Sequence, residues 1–138
     1  MEKTNTPAVE DYLETIYKLS KSKGYAKVVD ISQRLRVRPP TVTSMLQKLD
    51  KRGLVKYEKY REISLTPAGE RIAKNVSDTH SKMMEFLTLI GVDEKTAYAD
   101  TEGAEHHIHP STIKRINRLV LFAENNPKWA KKLKNFIK

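Results

Sequence analysis

Residues 27–70 read KVVDISQRLRVRPPTVTSMLQKLDKRGLVKYEKYREISLTPAGE. Val28, Ile31 and Leu35 recur at helical spacing, which predicts a helix over residues 27–36. Pro39 and Pro40 can only open a helix, because proline lacks an N–H and clashes with a preceding turn. The next helix is therefore expected from about Pro40 to Arg52, with Val42, Met45, Leu46 and Leu49 inward and Gly53 as its stop. Residues 54–65 then alternate apolar and polar, as a strand does, and a turn near residues 59–61 makes them a hairpin. Thr66-Pro67 opens another helix, with Thr as cap, Pro in the first turn and Glu70 near the capping-box position. Nothing breaks that helix before about Ile90, and Gly91 ends it.

Outward from this stretch the pattern stays helical. Val9, Leu13, Ile16 and Leu19 mark a helix over residues 9–21, ended by Gly24. Downstream, Asp93 caps a helix to about His107, and Pro110-Ser111 starts one to about Glu124. Asn125-Asn126-Pro127 is a turn, and residues 129–137 form a short basic helix with Trp129, Leu133 and Phe136 available to pack. Helix, helix, short turn, helix, hairpin, helix is the order of a winged helix-turn-helix. The fold class is mainly α: an N-terminal winged helix-turn-helix domain over residues 1–71 and a C-terminal α-helical domain, assigned to dimerisation, over residues 72–138.

Composition narrows the function. The chain has 138 residues, 38% hydrophobic and 31% charged, which fits a globular chain and not a disordered one. No apolar run approaches the roughly 20 residues of a transmembrane helix, and the first residues lack the apolar core of a secretory signal. The expectation is a cytoplasmic protein with no membrane partner. With no cysteines, thiolate metal sites are excluded.

The net charge of +9 is unevenly spread. Residues 21–61 hold twelve Lys/Arg against Asp30, Asp50 and Glu58, while residues 74–109 hold three lysines against seven acids. A basic front suggests a phosphate backbone as partner. The helix from Pro40 is the candidate recognition helix, with Thr41, Thr43, Ser44, Gln47 and Lys48 exposed to base edges and phosphates. Arg36 and Arg38 precede it, and Lys59 and Arg61 stand at the wing tip. Together with Pro40 these form the candidate interface with double-stranded operator DNA.

The acidic middle contains EGAEHH, residues 102–107. On a helix Glu102, Glu105 and His106 fall at i, i+3 and i+4, on one face. Two carboxylates and an imidazole so placed repel unless a cation sits between them, and a divalent metal supplies one. Asp11 and Glu14 stand at i, i+3 on the first helix. His80 lies four residues after Val76 and three before Met83, on an apolar face. Pooled, these residues offer four carboxylates and two imidazoles, enough to balance two divalent ions. Oxygen-rich, thiolate-free ligation suits Mn²⁺ or Fe²⁺ better than a structural Zn²⁺. His107 is one residue off the shared face and is left outside the set.

VEDYLETIYKL, the 27–70 stretch and EGAEHH together resemble the diphtheria-toxin-repressor family of metal-dependent regulators, over nearly the whole chain. The resemblance implies a homodimeric winged-helix repressor activated by metal. It implies that Asp11, Glu14, His80, Glu102, Glu105 and His106 are the ligands of a binuclear site. Iron-responsive members carry Met and Cys where this chain has Asp11 and Glu102, so the hard ligands here imply the manganese branch, with Mn²⁺ as corepressor. Cd²⁺, Co²⁺, Fe²⁺ or Zn²⁺ are possible substitutes. The family's pattern also implies a hydroxyl-bearing cap near Pro40, which this chain lacks. The expected control is that metal pins the first helix to the dimerisation domain and fixes the spacing of two recognition helices.

Two rival classes are weighed beside this one. A metal-independent winged-helix regulator of an organic ligand predicts DNA binding indifferent to a chelator. A dinuclear metal hydrolase needs a nucleophile, a phosphate loop or paired Glu-x-x-His motifs, and the chain has none of these. The expectation is that it is not an enzyme.

Overall fold

The computed structural model describes residues 5–138. Among these are seven helices and one two-stranded sheet: α1 (Pro7–Lys23), α2 (Val28–Leu35), α3 (Pro39–Lys51), β1 (Val55–Lys56), β2 (Ser64–Leu65), α4 (Pro67–Leu89), α5 (Glu94–Ala104), α6 (Pro110–Asn125) and α7 (Pro127–Ile137). The chain divides into two compact units, Met1–Val76 and Ser77–Lys138.

In the first unit, α1 begins at Thr6, whose side chain accepts from the Val9 N–H, and ends at Gly24 in a left-handed conformation, φ +83°. Its buried stripe is Val9, Tyr12, Leu13, Ile16 and Leu19, the helical spacing of the sequence. These pack with Ile31 of α2, Val42, Leu46 and Leu49 of α3, and Leu54, Val55 and Ile63 of the hairpin. Each such side chain, fully buried, contributes about 1.5–3 kcal/mol. Lys23 reaches Asp30 at 3.0 Å across the α1–α2 connection. The hydrogen bond and charge of Asp30 raise the pKa of the exposed Lys23.

The link from α2 to α3 turns on Arg36, at φ +57°, where a glycine is the common choice. Ser32 fastens this link: its carbonyl accepts from Val37 N–H at 3.1 Å, and its hydroxyl donates to the Val37 carbonyl at 2.5 Å. α3 starts at Pro39, one residue before the sequence expectation, with Arg38 as N-cap and no side-chain cap bond. The paired prolines explain the missing hydroxyl. A helix start exposes four N–H groups, and prolines at the first two positions delete two of them. Thr41 N–H is met by the Arg38 carbonyl at 3.0 Å.

The hairpin is shorter than its alternating pattern predicts. β1 and β2 are two residues each, paired antiparallel as Val55↔Leu65 and Lys56↔Ser64. A further bridge, Ala26↔Ile63, ties the returning limb to the segment before α2. Thr66 caps α4 as expected. Its hydroxyl accepts from Gly69 N–H at 3.2 Å and donates to the Gly53 carbonyl at 2.6 Å. Glu70 stands one residue beyond the capping-box position, which Gly69 occupies.

In the second unit, α5 is capped by Asp93, whose carboxylate takes the Thr96 N–H and hydroxyl at 3.1 and 2.7 Å. α6 and α7 pack together through Phe122 and Trp129, ring centroids 5.0 Å apart and edge to face. A single residue, Asn126, separates them and flanks both helices. The expectation that Phe136 packs is overturned: it is 88% exposed, and α7 has no buried residue. Met83, Ala97, Ile113, Val120 and Ala123 are the buried apolar side chains of this unit.

Candidate metal centre and nucleic-acid interface

The EGAEHH segment is not a single helix. α5 ends at Ala104, with Glu105 as its C-cap in αR conformation. Glu105 N–H still bonds the Thr101 carbonyl at 2.8 Å, but His107 N–H closes on Ala104 at 2.9 Å, a tighter turn. Pro110 sets the outer limit of any helix here. It forces His109 to an extended conformation, ψ 142°, so the helix has to unwind before it. Because Glu105 keeps helical dihedrals, the i, i+3 relation to Glu102 survives the helix end.

α4 and α5 bring the acidic groups of this segment to His80. His80 Nδ1 lies 2.7 Å from Glu105 Oε2 and 3.3 Å from Glu102 Oε1. One ligand atom from each of the three lies within 4.8 Å of the other two. Donors about 2.1 Å from one divalent ion stand about 3 Å apart at right angles and about 4.2 Å apart when opposed, so the cluster has the dimensions of a cation site. The Glu105 side chain is fully buried, His80 is 15% exposed and Glu102 is 41% exposed, which leaves one open edge. The Tyr98 ring stands against the imidazole in a T-shaped contact, ring centroids 5.5 Å apart. His106, also buried, places Nε2 3.5 Å from Glu105 Oε1. A buried carboxylate needs a positive partner. A divalent ion fits this nitrogen and oxygen donor set, which contains no sulfur.

The remaining candidate ligands belong to the first unit. Asp11 and Glu14 lie one turn apart on α1, Asp11 half-buried and Glu14 6% exposed. Glu14 Oε2 pairs with Lys18 at 3.3 Å. Sequence reasoning passed over Glu10, which is 3% exposed and one turn before Glu14. Two acids at i, i+4 among the apolar positions of an inward stripe were the available signal. Burial also raises the pKa of the neighbouring Tyr12 above 10.0.

The DNA-facing candidates are all in the first unit, and nearly all are exposed. Arg36, Arg38, Pro40, Thr41, Ser44, Gln47 and Lys48 are exposed, and Thr43 is half-buried on the same helix. Opposite them on α3, Val42, Leu46 and Leu49 are fully buried, so packing alone decides which face is left outward. Lys59 and Arg61 are exposed in the wing turn, where Arg61 pairs with Glu58 at 3.2 Å.

Residues 5–63 match the iron dependent repressor N-terminal DNA binding domain, and residues 66–134 match the iron dependent repressor metal binding and dimerisation domain. The chain is similar to the HTH-type transcriptional regulator MntR of Lysinibacillus sphaericus (strain C3-41), 50% identical over 128 residues, 93% of this chain and 92% of the relative. It is 48% identical to the regulator of the same name from Listeria monocytogenes serotype 4a (strain HCC23) over 129 residues, 94% of this chain and 91% of that one. Among solved structures, the manganese regulator SloR superposes with a TM-score of 0.72 at 26% identity, over 86% of this chain. This chain covers 55% of that chain, about half its length.

Proposed function

This chain belongs to the iron-dependent repressor family, and on that premise we propose that it is a manganese-responsive repressor of transcription, controlling manganese uptake genes from the cytoplasm. It has the family's DNA-binding domain and its metal-binding and dimerisation domain. Among the described residues no helix is long and apolar enough to cross a membrane. The relatives are named transcriptional regulators, in keeping with a non-enzymatic role.

The observation that carries the reading is the His80–Glu102–Glu105 cluster, built around a fully buried carboxylate. We assign His80, Glu102, Glu105 and His106 as ligands, with Asp11 and Glu14 completing a binuclear set. The bound ions supply positive charge that lets these acids stand close together. Hard oxygen donors and the absence of cysteine favour Mn²⁺ by coordination number, although Zn²⁺, Fe²⁺, Co²⁺ and Cd²⁺ are competitors by affinity. The homodimer then presents two α3 helices to two half-sites of a duplex. Arg36, Arg38, Lys48, Lys59 and Arg61 meet phosphates, while Thr41, Thr43, Ser44 and Gln47 meet base edges beside the Pro40 turn.

Metal and DNA are coupled reciprocally, so each tightens the other by the same factor. A coupling of about 3 kcal/mol corresponds to roughly 150-fold. Fluorescence anisotropy of promoter DNA, with Mn²⁺ and after chelation, tests this. Asp11→Ala and Glu102→Ala are expected to stay folded and to lose the Mn²⁺ response. A response of full size in either variant refutes that ligand, and parental binding indifferent to a chelator refutes metal control.

A further inference from the structure

A sulfur joins the two helices that carry the metal cluster. Met84 lies one turn after His80 on α4 and is half-buried. The Thr101 hydroxyl of α5 donates to its Sδ at 3.5 Å. Thr101 is fully buried, directly precedes Glu102, and takes the Glu105 N–H on its carbonyl at 2.8 Å. Each end of this bond is therefore within one helical turn of a member of the His80–Glu102–Glu105 cluster. A thioether is a weak acceptor. A buried hydroxyl that relies on one makes the seam between α4 and α5 sensitive to any change at the sulfur.

Met84 also faces open space, which is a second, independent observation. With Val120, Ala123 and Ala130 it lines a cleft of about 450 Å³ among α4, α6 and α7. The exposed Glu85 and Lys134 line the same cleft and keep it wet. One water molecule takes about 30 Å³ of liquid, so a solute the size of a peroxide enters freely. Met83, the next residue back, is buried and is not among the walls of this cleft.

We propose that Met84 is a site of reversible oxidation by hydroperoxides, and that its sulfoxide loosens the metal cluster. A lone pair of Sδ takes one oxygen of the peroxide. The S–O bond forms as the O–O bond breaks, sulfur gives up two electrons, and the second oxygen collects the proton and leaves as water. The product is polar and larger by one oxygen. Sδ and the Thr101 oxygen, 3.5 Å apart, leave no room for an atom between them. The new oxygen either wedges α4 from α5 to receive the hydroxyl, or turns into the cleft and draws the sulfur off Thr101. In both cases His80 and the two carboxylates lose their spacing, and metal affinity depends on how such ligands are held. The effect on metal rests on the reading of the cluster given above; the oxidation itself does not.

The test uses the full-length chain as it assembles in solution, stripped of metal, treated with hydrogen peroxide and freed of it again. Fragment-ion mass spectrometry is expected to find one added oxygen on Met84 and none on Met83. Calorimetric titration is expected to show Mn²⁺ bound about tenfold more weakly than by the untreated chain. Methionine sulfoxide reductase is expected to restore the affinity. Met84→Leu keeps the volume and removes the sulfur, so its Mn²⁺ affinity is expected to be the same before and after peroxide. Oxygen arriving on Met83 in step with Met84 overturns the proposal. So does parental affinity after complete oxidation of Met84, or a Met84→Leu chain as peroxide-sensitive as the parent. If the untreated chain takes up no Mn²⁺, the metal reading itself has failed and the switch falls with it; failure of the switch alone leaves Mn²⁺ uptake by the untreated chain intact.

Discussion

Replacing Gly69 by alanine tests whether α4 is seated against the hairpin as described. A Cβ on Gly69 stands 2.0 Å from the Leu54 carbonyl oxygen and 3.0 Å from its carbon. Comfortable nonbonded separation is about 3.5 Å, so helix and strand have to part by more than about 1 Å. Overpacking of that kind costs about 1–3 kcal/mol. The same carbonyl accepts the Thr66 N–H at 3.1 Å, and losing that bond adds about 1 kcal/mol. Alanine returns only about 0.5–1 kcal/mol through helix propensity. The net is a loss of about 1–3.5 kcal/mol, at least about 4 °C in melting temperature for a unit of this size. Gly103→Ala is the matched control. Gly103 also lies in a helix, but nothing stands within 4 Å of its added Cβ, so propensity acts alone and the midpoint rises. Melting of both variants by far-UV circular dichroism reads opposite signs. A Gly69→Ala chain stabilised like Gly103→Ala would falsify the described seating of α4 on Leu54.

Other outcomes follow from single contacts. Lys48→Ala on the exposed face of α3 lowers the salt slope of DNA binding by about 0.9, and an unchanged slope removes Lys48 from the interface. Mn²⁺ at about 100 times its dissociation constant stabilises the chain by about 2.7 kcal/mol, and a chelator reverses the gain; a melting temperature unmoved by either counts against a bound ion. The hydrogen bonds from Thr96 hold the Asp93 carboxyl below its ordinary 3.8. A depressed folded-state value means that Asp93 contributes its stability above pH 3.8 and loses it as acid titrates the folded carboxylate. An Asp93→Asn chain should therefore show a shallower loss of stability in that acid range, and an identical acid profile refutes the cap's role.

The first unit was largely legible in the sequence. Val9, Leu13, Ile16 and Leu19 recur at a helical period and form the buried stripe of α1, because a repeated apolar face has one way to be covered. Proline and glycine punctuated the rest, with Pro39, Pro67 and Pro110 at helix starts and Gly24, Gly53 and Gly91 at ends. Alternation in residues 54–65 told which side chains face inward but not how far the ladder runs, since strand length depends on partners distant in sequence. The same limit hid the exposure of Phe136, whose spacing fits a buried face although α7 buries none of its residues. For the cluster, residue type and i, i+3 spacing were enough to single out Glu102 and Glu105. That His80 meets them across 22 and 25 positions of chain is tertiary information. Its only trace in the sequence was a histidine on an apolar face.

Two prolines at the mouth of α3 have an effect beyond helix initiation. Helix openings elsewhere can clasp an anion through bare main-chain amides, but here two of the four are missing by covalent constitution. Any clasp on a nucleotide's anionic oxygen at this end leans the more on removable side groups such as the guanidiniums of Arg36 and Arg38. Mutation can therefore retune the strength of this anchor one residue at a time and leave the path of the chain untouched.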